Sequence, residues 1–125
     1  MNPDRLFFGI GCAAAALGVA FGAFGAHALS HRLGPQILAI YETAVRYQLV
    51  HALALLVAGL LRGSMARSPY VDAAGWLFTA GIVVFSGSLY ALTLTGARGL
   101  GAITPIGGFA FIGGWTMLAI AAWKR

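Results

Sequence analysis

The chain has 125 residues, of which 60% are hydrophobic and 9% charged, with a mean hydropathy of +0.86. Ordinary soluble domains carry about 25% charged residues, so the composition excludes a soluble globular enzyme and points to a membrane protein. The formal charge of +5 would suit nucleic acid, but the basic residues are scattered singly along loops and ends, as topology signals are, so no nucleic-acid partner is expected.

Apolar runs of about twenty residues, each enough for roughly 30 Å of hydrocarbon, lie at 6–26, 41–61, 73–94 and 103–123. They predict an all-α fold, a four-transmembrane-helix bundle forming one membrane domain over 1–125, since lipid-exposed backbone must satisfy its own hydrogen bonds. Alternating strands of a barrel are not seen. Pro35, Pro69 and Pro105 fall where a first helical turn would begin, and Pro3 precedes the first run.

In the first run Gly11, Ala15, Gly18, Gly22, Gly25 and Ala26 share one face, a ridge of small residues that another backbone can approach closely, within the bundle or between subunits. Gly107 and Gly108, with Gly75, Gly81, Gly113 and Gly114, add contact points in the last two runs. Cys12, the single cysteine, reads as a small buried apolar side chain. An alternative takes the first run as a signal peptide cleaved at Ala26-His27-Ala28; the run exceeds the 7 to 15 residues of such a segment, and Met1 or Asn2 on the mature protein would exclude it.

The second run holds YETAVRYQLVHALALL, Tyr41 to Leu56. Glu42 and Arg46 have the spacing of a helical ion pair near the outer surface, while Ala44, Tyr47, Gln48, His51 and Leu55 share roughly the opposite face. Measured by helical rise from the inner end, His51 lies about 16 Å deep, with Gln48, Tyr47 and Arg46 about 21 to 24 Å out and Glu42 about 30 Å. Ser86, Ser88 and Thr104 to Gly108 fall at about 21 to 29 Å, so all four helices bring polar or small groups to the outer half. This cluster is either a hydrogen-bonded plug or a pocket opening outward. His27 and His31 are four residues apart, but no third ligand adjoins them and His51 is some 15 Å deeper than His27, so no metal is expected. His51 is the functional candidate, with Tyr47 as its expected partner.

Counting Lys and Arg, the N-terminus, second loop and C-terminus hold Arg5, Arg62, Arg67, Lys124 and Arg125, against Arg32 and Arg98 in the first and third loops, which predicts both termini on the cytoplasmic side. Trp76 and Trp123, and toward the other surface Tyr41 and Tyr90, read as interfacial aromatics.

The motifs GAFGAHAL, TAVRYQLVHALALL, FSGSLYALTLTG and TPIGGFAFIGGW resemble a small four-helix integral membrane protein family of unknown function, the YgdD/YwdK-like proteins, which has a eukaryotic transmembrane-protein branch. The resemblance implies a multi-pass protein of the bacterial inner (plasma) membrane and no activity. Residues matching its motifs are His27, Tyr47, Gln48, His51, Ser86, Gly87, Ser88, Tyr90, Thr104, Pro105, Gly107 and Gly108, whereas Glu42, Arg46 and His31 stand where other members carry other residues, so the resemblance implies no shared charge pair or HxxxH chemistry.

The leading expectation is a structural or accessory component that packs through its glycine-rich helices, with the lipid bilayer and either a homo-oligomer or a larger membrane complex as partners. The alternative is a transporter, channel component or binder of a small ligand or lipid using an outer pocket lined by His27, Tyr47, Gln48, His51, Ser86, Ser88 and Thr104. No catalytic residues and no cofactor are expected: the acids are Asp4, Glu42 and Asp72, and only Glu42 approaches the cluster.

Overall fold

The computed structural model describes residues 3–64 and 67–124, with side chains from Arg5 onward. Met1, Asn2 and Arg125, which enter the signal-peptide and charge-count expectations, lie outside the described residues.

The described residues are almost wholly helical. Helix α1 (Pro3–His27) leads through a 3-10 turn, Leu29–His31, to α2 (Pro35–Ser64). Helix α3 (Pro69–Gly81) continues without a break through one π-helical segment, Ile82–Ser86, into α4 (Gly87–Thr95). A second 3-10 turn, Arg98–Ala102, precedes α5 (Thr104–Trp123). Four helical stretches among the described residues are long and apolar enough to cross a membrane, α3 to α4 counting as one. Pro35 and Pro69 are the first residues of their helices and Pro105 the second of α5, where a missing N–H breaks no bond. Helix α4 ends on Gly96 with φ +71°, a left-handed cap that glycine accepts without a Cβ clash.

Helix α1 packs mainly on α2, with Phe7 reaching α3 and Phe21 reaching α4, and α3 packs on α5; α2 against α3, the π segment and α4 joins the two pairs. The α1 ridge explains the first contact. A Cβ at Gly11 would sit 2.8 Å from the Ala52 carbonyl oxygen, one at Gly18 would sit 2.6 Å from Leu49 Cδ2, and one at Gly25 would sit 2.5 Å from Tyr41 Cε1. The ridge is therefore covered for most of its length by this chain's own α2. Gly22 is looser, 3.3 Å from Val45 Cγ1, and Ala26 is exposed.

A different device sets the other contacts: phenylalanine rings lie over glycines of a facing helix. Phe7 covers Gly75, Phe78 covers Gly114 and Phe111 covers Gly81, so each bulky ring gains space where the opposite backbone has no side chain. Phe7, Phe78 and Phe111 belong to the central core with Ala54, Leu55 and Ala74. The closest backbone approach is Gly107 to the π segment, where a Cβ would lie 2.7 Å from Phe85 Cβ and 2.8 Å from Phe85 Cα.

Three expectations are corrected. Cys12 is exposed, because α1 uses one face on α2 and leaves another to the surroundings. Tyr41 and Tyr90 are not interfacial anchors: the Tyr41 hydroxyl donates to the Phe21 carbonyl at 2.5 Å and the Tyr90 hydroxyl to Gln48 Oε1 at 2.6 Å, each across helices. Glu42 and Arg46 are both exposed, and no ion pair joins them. The described ion pair is Arg62 with Asp72, tying the end of α2 to the start of α3.

Candidate functional site

The polar residues that the depth estimate gathers into one layer are divided by the packing into separate nodes. In the first, Gln48 of α2 lies buried against α1, its Nε2 donating to the Ala14 carbonyl at 2.9 Å while its Oε1 accepts from Tyr90 of α4. One side chain thus links three helices. Ala14 falls beside the ridge between Gly11 and Gly18, and the close approach these glycines permit brings its carbonyl within reach of α2. The Tyr90 ring meets Phe21 of α1 edge-on at 5.1 Å.

The second node is His51, 4% exposed, on the side of α2 that faces α5. Its Nδ1 bonds the Tyr47 carbonyl, one turn back, at 2.8 Å, and its Nε2 receives the Trp115 indole N–H at 3.1 Å. A carbonyl only accepts and an indole N–H only donates, so the ring is the neutral tautomer with its proton on Nδ1. The ring stacks on Phe111 of α5 with centroids 3.6 Å apart and planes 9° from parallel, and Phe78 lies 5.7 Å away. The lone pair that a general base would use is committed to Trp115.

Tyr47, the expected partner of His51, serves through its backbone carbonyl; its ring lies nearly parallel to His51 with centroids 6.0 Å apart and tilted against Phe85 at 4.6 Å, and it is exposed. The partner not anticipated is Trp115. The same rise arithmetic finds it: Trp115 is eight residues from Trp123, about 12 Å from the inner end and near the roughly 16 Å of His51.

The third node lies farther out. Ser86, at the end of the π segment, donates to the Ala44 carbonyl of α2 at 2.8 Å. Ser88 and Thr104 share a hydrogen bond of 2.6 Å between α4 and α5, and Ser88 also bonds the Phe85 carbonyl. The remaining candidates stand apart from these nodes. His27 ends α1 and His31 the first 3-10 turn, both exposed, as are Glu42 and Arg46. Among the described residues no group of three His, Cys, Asp or Glu side chains is arranged to hold a metal ion. No buried, described side-chain nitrogen or oxygen lacks a hydrogen-bond partner.

The cavity nearest the first node is a crevice of about 290 Å³ between α1 and the π segment, lined by Ala13, Ala14, Leu17, Ile82 and Val83 with Gln48, Ser86 and Tyr90. Its polar groups already have partners within the chain, so what it presents is mostly apolar. His51 and Thr104 do not line it.

Comparison with known proteins extends the resemblance. No solved structure matches the chain. Residues 21–108 match the model of a protein family of unknown function, DUF423. The chain is similar to the UPF0382 membrane protein YwdK of Bacillus subtilis, 46% identical over 120 residues that cover 96% of this chain and 98% of that one. A UPF0382 membrane protein of Staphylococcus epidermidis is 50% identical, and SH2409 of Staphylococcus haemolyticus is 47% identical, each over 96% of this chain and 97% of its own length. With four membrane-length apolar helices and relatives alike over nearly their full length, the chain belongs to the DUF423 family and is an integral membrane protein of a family without an assigned activity.

Proposed function

We infer that the chain is a compact structural or accessory protein of the bacterial plasma membrane, with both termini cytoplasmic, and that its outer polar residues form a hydrogen-bonded plug. The observation that carries this reading is that, among the described residues, every buried side-chain nitrogen and oxygen already has a hydrogen-bond partner within the chain. A pocket that selects a polar ligand or conducts an ion needs donors and acceptors aimed into open space, whereas Gln48, Ser86 and Ser88 aim theirs at neighbouring helices and His51 spends one ring nitrogen on its own helix and the other on Trp115 of α5. Lys and Arg at the N-terminal, second-loop and C-terminal positions support the orientation. The ridge being occupied by α2, any partner would dock on another face.

The test is native mass spectrometry of protein extracted gently in lipid, wild type beside His51→Ala, paired with thermal unfolding. The expected outcome is an unchanged set of bound masses and a lowered unfolding temperature. A specific small-molecule adduct present in the wild type and lost in His51→Ala overturns the plug reading. A second reading, a binder of a small apolar ligand, is favoured by the α1 crevice; Ala13→Phe fills it from an exposed position, so loss of a bound mass in that variant alone assigns the ligand there.

A further inference from the structure

A larger groove of about 490 Å³ lies at the opposite end of the α1 and α2 pair, away from every polar node, lined by Arg5, Phe8, Gly9, Gly59, Leu60, Gly63 and Ser64. The helices run antiparallel, so Arg5 stands across from Gly63 and Ser64 at the helix ends, and Gly9 across from Gly59 about one turn, or roughly 5 Å, farther in. The rim holds one guanidinium and one hydroxyl. The inner part holds a phenylalanine, a leucine and glycines that leave the backbone low. A Cβ at Gly9 would meet nothing within 4 Å, so the space there is open.

We propose that this groove is a binding site for an anionic phospholipid, its phosphate on Arg5 at the rim and one acyl chain laid along Phe8, Gly9 and Leu60. The distribution of polarity selects the occupant: a free phosphate would leave the apolar stretch uncovered, and an uncharged apolar molecule would leave Arg5 without a counter-charge. The surrounding charge favours an anion. At this end Arg67 is exposed, Lys124 lies over the Tyr70 ring at 5.5 Å, and the described carboxylate, Asp72, is taken up by Arg62. Basic side chains beside a membrane attract anionic lipid by about 1 kcal/mol each, which is about five-fold in occupancy.

The test reconstitutes the full chain in nanodiscs of equimolar phosphatidylglycerol and phosphatidylcholine and weighs the lipid that stays bound on release. The expected result is about five-fold enrichment of phosphatidylglycerol on the wild type. Arg5→Gln returns the retained lipid to the bulk ratio, and Gly9→Leu, which fills open space, reduces retained lipid of both kinds. Arg67→Gln, outside the groove, lowers the enrichment less than Arg5→Gln does. Three outcomes overturn the proposal: retention at the bulk ratio in the wild type, an Arg67→Gln effect equal to that of Arg5→Gln, or displacement of the bound lipid by millimolar glycerol phosphate, which carries the anion without the chain. Arg5 is exposed and Gly9 open, so neither substitution disturbs the core that holds the fold.

Discussion

His51 is held at both ring nitrogens and stacked on Phe111, so its substitution tests what a buried polar residue does in the bilayer interior. Trp115→Phe removes the donor to Nε2 and keeps an aromatic ring; hydrogen bonds between membrane helices average about 0.6 kcal/mol, and a loss near that size is expected in reversible unfolding from detergent. His51→Ala also deletes a ring stacked at 3.6 Å on Phe111, and the space left should raise the loss to about 2–4 kcal/mol. If the two variants unfold alike, the stack contributes nothing and the hydrogen bond is the whole effect. Neighbouring glycines give a sharper contrast. Gly107→Ala would place a Cβ 2.8 Å from Phe85 Cα, a backbone atom that cannot swing aside, and should cost about 1–3 kcal/mol. Gly108→Ala meets only Phe85 Cδ2, at 3.9 Å, and should be neutral or stabilising by up to about 1 kcal/mol through helix propensity. Thermal unfolding of the two variants side by side reads that difference in sign.

At the scale of the element, the glycine ridge of α1 is legible in the sequence as a face, because helical periodicity determines which residues lie together. Its partner is not legible, since a small-residue face accepts α2 and a second subunit equally well. The structure assigns it to α2, so Gly18→Leu, driving a branched side chain into Leu49, should destabilise the chain to the same extent at every protein concentration. A loss that shrinks as the protein is concentrated, read by unfolding across a hundred-fold dilution, would instead return the ridge to a subunit interface. The presence of four membrane-length helices was readable for a similar reason: hydrocarbon thickness sets their length, and Pro3, Pro35, Pro69 and Pro105 stand in their first turns. The π segment was not, because Ile82–Ser86 is an ordinary apolar run whose widened turn sits where the Gly107 backbone presses in, a long-range contact. Tyr41 and Tyr90 were misread because depth alone does not distinguish a hydroxyl facing the interface from one donating across helices. Trp115 was missed because the expected partner of His51 was sought on its own helix.

For the whole molecule, the arrangement makes α2 the hub. It touches α1 along the ridge, α3 and α4 through Ser86 and Tyr90, and α5 through His51, and α1 and α5 flank it and share no extensive contact. The basic residues then gather at one end, where α2 stops and α3 begins, and the Arg62 and Asp72 pair closes that end. Orientation follows from charge: five of the eight Lys and Arg lie in the N-terminal, second-loop and C-terminal positions, two in the other loops, and Arg46 inside a span. Each basic side chain resists translocation, so the end with five should stay cytoplasmic. The native Cys12 is removed as Cys12→Ala, and one cysteine is placed at Ser30→Cys in the first turn or Ser64→Cys at the end of α2, both exposed positions. In intact cells a membrane-impermeant thiol reagent should label Ser30→Cys and spare Ser64→Cys until the cells are opened. Labelling of Ser64→Cys before lysis, with Ser30→Cys protected, reverses the orientation and moves the Arg5 groove to the outer leaflet, where the same lipid exchange experiment still decides whether it is occupied.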